Sequence, residues 1–268
     1  MNPFDCAARA KGRRRFPRRW AGGLALLVLW VLALSTPVLA PVEAKASAQG
    51  GDAYATPGFA TPEEAIGHFC QGLAAQDFQG ALEACAISEQ AEGFDFPGWV
   101  DRMKAHVPLA NPAPATSGLY KELNEAAIAG SFAGQIKMLL YSFFVTAGLE
   151  GSSVAPADRA YALEFQEAVA AEQLAGLRLL RVDPPKKAVL ESEKNRENFA
   201  RMAEIYGAQE MTERIVLYEL GGRTFLGGFG LYRYGSGWKI CRLHSSLAGL
   251  SPTGAAVEAS PEEYAGML

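Results

Sequence analysis

Two acids and three tyrosines in the C-terminal third are the residue types that a proton-transfer enzyme uses. Such an enzyme needs a buried carboxyl group as its base and phenol donors facing it. The alternating pattern places Glu213 and Glu219 on one face of their strand, and Tyr218, Tyr232 and Tyr234 also lie on predicted strands. Tyrosine is an ordinary strand residue, however, and the pattern does not place either acid clearly on an inward face. We therefore assign no catalytic residue, and Glu213 and Glu219 are the nearest candidates.

Metal coordination is the second chemistry that the residue types suggest. His68 and Cys70 are two positions apart in a predicted helix, Cys241 and His244 are three positions apart at a predicted strand, and Cys85 lies elsewhere. Side chains two apart on a helix diverge by about 200°, and side chains three apart on a strand face opposite sides. Neither pair therefore presents two ligands together, and the sequence predicts no metal site and no cofactor.

Glycine and serine motifs near the C terminus offer two further chemistries. The run Gly-Gly-Phe-Gly over 227–230 lacks the following helix that a phosphate cradle needs, because another strand continues there. Glycines inside a strand predict instead a bend that curls the sheet. His244 beside Ser245 and Ser246 could supply the histidine and the serine of a Ser-His-acid triad, but neighbours on a strand diverge and no glycine elbow surrounds either serine. We expect neither chemistry from these motifs.

Cys70 and Cys85 are candidates for a disulfide. Each lies seven or eight residues from Asp77, the predicted turn of a helical hairpin, so the two would lie at similar height on adjacent helices. An oxidising compartment favours the bridge, and two buried free thiols are the alternative. Cys241 is then left over and is expected to be buried and unreactive.

Residues 1–44 have the pattern of a secretory signal peptide. Basic residues precede an apolar run of 15 residues over 21–35, and small residues recur at cleavage positions up to Ala40, Ala44 and Ala48. The run is shorter than the ~20 residues of a spanning helix, so we expect cleavage, with a retained membrane anchor as the alternative. The paired arginines leave the twin-arginine export route open. The predicted location is extracellular or the cell envelope.

The charge of the predicted mature chain limits its partners. Residues 1–44 hold seven of the 25 basic and two of the 29 acidic residues, which leaves a net charge of about −9. Nucleic acid and anionic membrane surfaces repel such a chain. We therefore expect no nucleic-acid partner, and membrane contact only through the N-terminal segment if it is uncleaved.

The remaining chain is expected to form a single domain over 61–250. Residues 45–60 are rich in Ala, Gly and Ser and predict a flexible tether. Thr-Pro-Glu-Glu at 61–64 is a capping box that begins a helical hairpin. A helical insertion follows at about 97–172. Its apolar stretch, 138–149, is too short to span a bilayer and predicts a buried core helix, with a partner-binding or lipid-facing helix as the alternative.

The C-terminal part of the domain is expected to be a β-sheet. A strand is predicted over 177–182, and a charged helix follows it and ends at Gly207. Alternating apolar residues and short Gly-rich turns then predict three strands in an antiparallel meander. Residues 251–268 hold little to bury and predict a loose tail.

This order of elements resembles the nuclear-transport-factor-2-like superfamily, in its exported bacterial type. The resemblance rests on Thr61-Pro62-Glu63-Glu64-Ala65, the spacing from Phe69 to Asp77-Phe78, Ala81, and the final Gly237-Trp238-Lys239-Ile240. It implies an α+β fold with an N-terminal helical hairpin, a helical insertion and a curved, cone-like antiparallel sheet. It implies little about activity, because the superfamily includes isomerases, hydrolases, dehydratases and plain binding modules.

An apolar helical insertion without convergent polar groups predicts an exported, non-catalytic binding module. Its ligand is expected to be a small apolar molecule or an envelope protein, held at the mouth of the cone and the added helices. A cone-fold isomerase or hydrolase and a structural cell-envelope protein are the alternatives. An apolar cavity with a buried carboxyl group of raised pKa would favour an enzyme, whereas a filled cone would contradict one.

Overall fold

The computed structural model describes residue 54 and residues 56–108, 110–145, 158–235, 237–249 and 253–268. The predicted signal peptide, residues 1–44, lies outside the described residues, as does most of the predicted tether.

Helices pack around an antiparallel sheet in an α+β arrangement. The helices are α1 (Pro62–Ala74), α2 (Phe78–Glu83), α3 (Ser88–Gly93), α4 (Phe96–Met103), α5 (Gly118–Phe144), α6 (Arg159–Ala168), α7 (Lys187–Leu190), α8 (Glu193–Ile205) and α9 (Pro261–Ala265), with a 3-10 helix at Ala171–Gly176. The strands are β1 (Arg178–Asp183), β2 (Glu210–Leu220), β3 (Arg223–Tyr234), β4 (Gly237–Arg242) and β5 (Val257–Glu258). Within the described ranges, no helix combines the length and apolar character needed to cross a membrane.

The N-terminal helical hairpin begins at the predicted residue. The Thr61 hydroxyl accepts the backbone N–H of Glu64 at 3.1 Å, and Pro62 occupies the first turn, where its missing amide donor is not needed. Gln76 turns the chain with a φ of 57°, and the side chain of Asp77 caps α2. The predicted hairpin is confirmed.

The sheet has the order β1-β2-β3-β4, with antiparallel neighbours throughout. Gly221 and Gly222 join β2 to β3 with φ values of 59° and 78°. A two-residue turn of this kind follows the twist of the strands and requires positive φ at both positions, which glycine adopts without strain. β5 pairs with β3 at Phe225 and Leu226, beyond the part that β4 covers. The predicted curved antiparallel sheet is confirmed.

One face of the sheet, here called the inner face, is covered by α1 and α5. From α1, the ring of Phe69 meets Phe229 with centroids 5.5 Å apart. From α5, Phe143 meets Tyr218 at 5.4 Å and Phe225 at 5.2 Å, each edge to face. These five side chains are at most 2% exposed. The C-terminal half of α5 therefore packs as the predicted core helix and fills the inner face.

The opposite, outer face is covered by α8 at one end and by the C-terminal residues at the other. Tyr264 of α9 is fully buried against Ile215, Leu217 and Leu226. Its hydroxyl donates to Oδ2 of Asp183 at 2.8 Å. The sheet is therefore buried on both faces, which explains why its central strands are apolar on both sides.

The prediction of a loose tail over 251–268 is wrong for 253–268. β5 pairs with β3, and the Ala256 amide donates to the Ser142 hydroxyl at 2.8 Å. Ser260 and Glu263 form a capping box at the start of α9. Backbone pairing, caps and the buried ring of Tyr264 hold this segment, and none of these produces a periodic apolar pattern.

The prediction of a flexible tether is wrong for residues 56–60. Phe59 exchanges two backbone hydrogen bonds with Trp238 of β4, of 3.0 and 2.7 Å. The hydroxyl of Thr56 accepts Nζ of the buried Lys239 at 2.9 Å. The open backbone edge of β4 supplies these partners, and a sequence pattern does not reveal such an edge.

Candidate functional site

A carboxylate, Glu213 of β2, is fully buried on the outer face of the sheet. It accepts hydrogen bonds from Ser245 Oγ at 2.7 Å, Ser246 Oγ at 2.7 Å, the Leu247 amide at 3.0 Å and Arg242 Nη2 at 2.6 Å. All four donors belong to the end of β4 and the loop after it. Glu213 therefore ties this loop to the sheet.

The hydrogen bonds around Glu213 decide its protonation. Burial by itself raises the pKa of Glu213, but the Leu247 amide, the Ser245 and Ser246 hydroxyls and the charge of Arg242 together lower the pKa below its ordinary value. A general base working near neutral pH needs a raised pKa and room for a substrate proton. Glu213 has neither, because it is ionised and its oxygens are occupied. It acts as an anchor of the fold.

The other residues considered for proton transfer lie apart from Glu213. Glu219 pairs with Arg178 at 3.2 Å. Tyr218 is buried on the inner face, whereas Tyr232 and Tyr234 pack with α8 on the outer face. Burial raises the pKa of all three tyrosines. The structure therefore does not bring them together as the facing donors of an isomerase.

Three of the residues considered for metal binding have other contacts or are buried in the core. Nε2 of His68 lies 3.1 Å from Oε2 of Glu83. Cys70 and Cys85 are buried free thiols, and burial raises the pKa of Cys70 to about 12. The structure has no bond between them, and their disulfide stays a prediction. In the part of the chain that the structure describes, no cluster of three or more His, Cys, Asp or Glu could hold a metal ion.

The glycines at 227–230 and the following serines have structural roles. A Cβ on Gly228 would lie 2.7 Å from the Cβ of Ser245, so glycine allows the loop after β4 to touch β3. The register of β3 with β4 shifts between Gly230 and Leu231, and such an irregularity bends a strand. Ser245 and Ser246 both donate to Glu213, so neither hydroxyl is placed as a nucleophile.

A cleft of about 610 Å³ lies beside β4 and is the candidate binding site. It is lined by α5, by Pro108 and residues 110–113, and by Trp99, Tyr206 and the end of β4. Its volume lies within the range of about 300–1,000 Å³ that is usual for small-molecule sites. The inner face of the sheet is filled, so the cleft lies among the added helices.

Helix α5 provides the apolar lining of the cleft. Leu123, Ala127, Ile128 and Phe132 line it and recur at the spacing of one helix face. Farther along the same helix, Ile136 and Phe143 continue into the core. One helix therefore fills the inner face with its C-terminal half and lines the cleft with its N-terminal half.

The end of the cleft near β4 holds a cation and neutral hydrogen-bond donors. Arg242 is the charged residue among the described residues that line the cleft. Nε1 of Trp99 is buried and has no hydrogen-bond partner among the described residues. Burial raises the pKa of Tyr206 to about 12 and that of Cys241 to about 12, so the phenol and the thiol keep their protons at neutral pH.

Two side-chain amides, one of them buried, hold the walls of the cleft in place. Asn124 is 2% exposed and hydrogen-bonds the backbone of Ala113 in both directions, at 2.7 and 2.8 Å. Gln135 accepts the Leu243 amide at 2.8 Å. These bonds fix residue 113 and the end of β4 to α5, so the cleft is preformed.

The sequence interpretation expects a ligand at the mouth of the cone and the added helices, and it did not identify the lining residues near β4. Trp99 was visible only as one of several loosely spaced apolar positions, and Arg242 only as a residue of the last strand. One signal was present: Arg242 follows Ile240 and Cys241, and a cation in such an apolar strand requires a counter-ion. The sequence does not show that the counter-ion is Glu213.

Comparisons with known proteins support the fold. No protein-family model matches the chain, and no curated protein matches it significantly. Among solved structures, a cystatin-like protein from Ruminococcus gnavus is similar, with a TM-score of 0.50 and 19% identity over 80% of this chain and 44% of that chain. The chain thus spans less than half the length of that protein. At this identity the similarity shows the fold alone, an α+β cone fold of the cystatin-like kind.

Proposed function

We propose that this chain is an exported binding module that holds a small, largely apolar ligand in the cleft beside β4. The observation that carries the proposal is the preformed cleft of about 610 Å³ with its apolar lining from α5. A concave, largely apolar site with a few placed polar groups is typical of ligand binding.

Two features of the chain support export and family. Residues 1–44 have the basic, apolar and small-residue regions of a signal peptide. The helical hairpin and the Gly-Trp-Lys-Ile strand at 237–240 support the exported bacterial type of the nuclear-transport-factor-2-like superfamily, with the helices of 97–172 as an addition to it. The cleft is lined largely by this addition.

The buried groups favour binding over catalysis. Glu213 has a lowered pKa and four hydrogen-bond donors, so it is not a poised base. The inner face of the sheet, where a cone-fold enzyme would hold its substrate, is occupied by Phe69, Phe143 and Phe229. Both observations count against the isomerase or hydrolase alternative.

A pair of alanines on α5 tests the proposal. Ala127 lines the cleft and is exposed, whereas its neighbour Ala126 is exposed and does not line it. We expect the full chain to bind the neutral apolar dye Nile red saturably, with increased fluorescence. Ala127→Trp should fill the cleft and weaken binding by about ten-fold or more, whereas Ala126→Trp should leave it within about two-fold.

Equal binding by both tryptophan variants would show that the dye binds elsewhere and would contradict the proposal. Absence of saturable binding by the unmodified chain would contradict it as well. Native mass spectrometry of the purified protein then gives the mass of any retained ligand, and a retained protein instead of a small molecule would favour the partner-binding alternative.

A further inference from the structure

We propose that the ligand of the cleft is an organic carboxylate: a single anionic head held by Arg242 and an aliphatic or aromatic body against α5. This inference rests on the proposed function, because it names the class of ligand for the same site. It follows from how charge, donors and apolar surface are distributed around the cleft.

The charged side chain at the cleft is a cation. Arg242 is the charged residue of the described lining, and its carboxylate partner Glu213 does not line the cleft. The hydrogen bonds of Arg242 to Glu213 and Ser246 both use Nη2, at 2.6 and 3.4 Å. Nη1 makes no hydrogen bond among the described residues and Nε is buried without one, and a planar guanidinium can bind two acceptors on different edges.

The neutral groups near Arg242 are donors. The rings of Trp99 and Tyr206 lie 6.3 Å apart, and Arg242 acts electrostatically on both Tyr206 and Cys241. The indole Nε1–H of Trp99 is buried and unpaired among the described residues, which costs free energy unless an acceptor arrives. A ligand oxygen at this end would satisfy that donor.

The single cation at the cleft favours a ligand with one negative charge over a ligand with two. Glu213 already compensates part of the charge on Arg242. A phosphate monoester carries nearly two negative charges and is usually bound by several cations or a helix N-terminus. One partly compensated arginine matches one carboxylate, which is recognised by charge-assisted hydrogen bonds.

The opposite wall suits an apolar body. Leu123 and Ile128 of α5 present hydrocarbon surface with Phe132 behind them, beside the polar side chains of Asn124, Ser131 and Gln135 on the same helix. The cleft is therefore amphipathic, with the cation at the β4 end and a mixed wall along α5 that contains the apolar surface. A neutral hydrocarbon would leave the donors unpaired, and a cation would be repelled by Arg242.

A charge series of ligands with one hydrocarbon chain tests the inference on the unmodified full chain. Decanoate, decanol and decyltrimethylammonium have unbranched alkyl chains of nearly equal length and differ chiefly in the head group. We expect decanoate to displace Nile red at a concentration at least about ten-fold lower than decanol, and decyltrimethylammonium to be the weakest. If decanol displaces Nile red at a concentration equal to or lower than that of decanoate, the inference is overturned.

Two double variants test whether Arg242 causes the preference for decanoate over decanol. Arg242→Gln alone would leave Glu213 buried without its counter-ion, so Glu213→Gln is combined with it. We expect this double variant to bind decanoate and decanol within about two-fold of each other. Arg178→Gln with Glu219→Gln removes another Arg–Glu pair between neighbouring strands, away from the cleft, and should keep the preference. An unchanged preference in the first double variant would overturn the role of Arg242.

The experiment separates the two proposals. If Nile red binds and Ala127→Trp abolishes its binding while the head group makes no difference, the binding function stands and the carboxylate inference fails. If no ligand of the series competes and the dye does not bind, the binding function itself fails. Circular dichroism of each variant shows whether a loss comes from unfolding.

Discussion

Nη2 of Arg242 lies 2.6 Å from Oε1 of Glu213, and this ion pair joins the fully buried anchor of the fold to the lining of the cleft. The carboxylate holds the end of β4 and the loop after it. The guanidinium on the same strand faces the site where we propose that a ligand binds. The stability of the loop and the recognition of the ligand therefore depend on one contact.

Removing the carboxylate should destabilise the protein strongly. Glu213→Ala leaves a guanidinium, two hydroxyls and an amide without their acceptor, and we expect a loss of about 3 kcal/mol in the free energy of unfolding. Urea denaturation followed by circular dichroism measures this loss. Glu219→Ala, which breaks the partly exposed pair with Arg178, should cost less than about 1 kcal/mol. Similar losses for both variants would contradict the anchoring role.

The same carboxylate should make stability depend on pH in the acid range. Burial raises the pKa of Glu213, but its hydrogen bonds and Arg242 lower the pKa below 4.5, the value expected in the unfolded chain. A lowered folded-state pKa contributes stability that is complete above the unfolded value and is lost as the pH falls through the folded value. The urea concentration at the midpoint of unfolding should therefore decrease as the pH is lowered below about 4.5. Glu213→Gln should show a smaller fall, and an equal fall in both proteins would contradict the assignment.

Replacing two glycines with alanine should change the stability of the protein in opposite directions. A Cβ on Gly228 would lie 2.7 Å from the backbone and side chain of Ser245, so Gly228→Ala should displace the loop and cost about 1–3 kcal/mol. Gly134 lies in α5 with open space around its Cβ position, and Gly134→Ala should add about 0.5–1 kcal/mol through helix propensity. Thermal unfolding of both variants checks the two signs, and a neutral Gly228→Ala would show that the loop does not press on β3.

The state of Cys70 and Cys85 can be measured by alkylation. Both are buried, and burial raises the pKa of each thiol, so neither should react with iodoacetamide in the folded protein. Cys241 also has a raised pKa, but it is partly exposed and not buried as expected from the sequence, so it should react before the other two. After unfolding without reductant, we expect Cys70 and Cys85 to be alkylated as free thiols. Failure to react, with an intact mass lower by two hydrogen atoms, would show instead the disulfide considered from the sequence.

The parts of the fold that were predicted correctly depend on neighbours in the chain. Thr61, Pro62 and Glu64 identify the start of α1 because a cap is satisfied within one helical turn. Gly221 and Gly222 identify the β2–β3 turn because few other residues adopt its backbone conformation. The strand pattern after residue 207 is likewise read from adjacent side chains.

The errors and omissions have a common cause in contacts between distant segments. Phe59 pairs with Trp238, and Tyr264 packs on Ile215, so segments predicted to be flexible are ordered by partners far along the chain. Glu213 is buried by the loop containing Ser245 and Ser246, which follows about thirty residues later. A local pattern carries no information about which distant segment will cover a residue.

The sequence by itself determined the helical hairpin, the helices of the insertion, the antiparallel meander and the expectation of export, because caps, turns and periodicity act over one or two turns of chain. Only the tertiary structure decided that Glu213 is buried and paired, that α5 fills the inner face, and that Trp99, Tyr206 and Arg242 meet at a cleft. Burial of a polar or charged group destabilises the fold unless the group finds a hydrogen-bond or ion-pair partner. For these residues the partners come from separate elements.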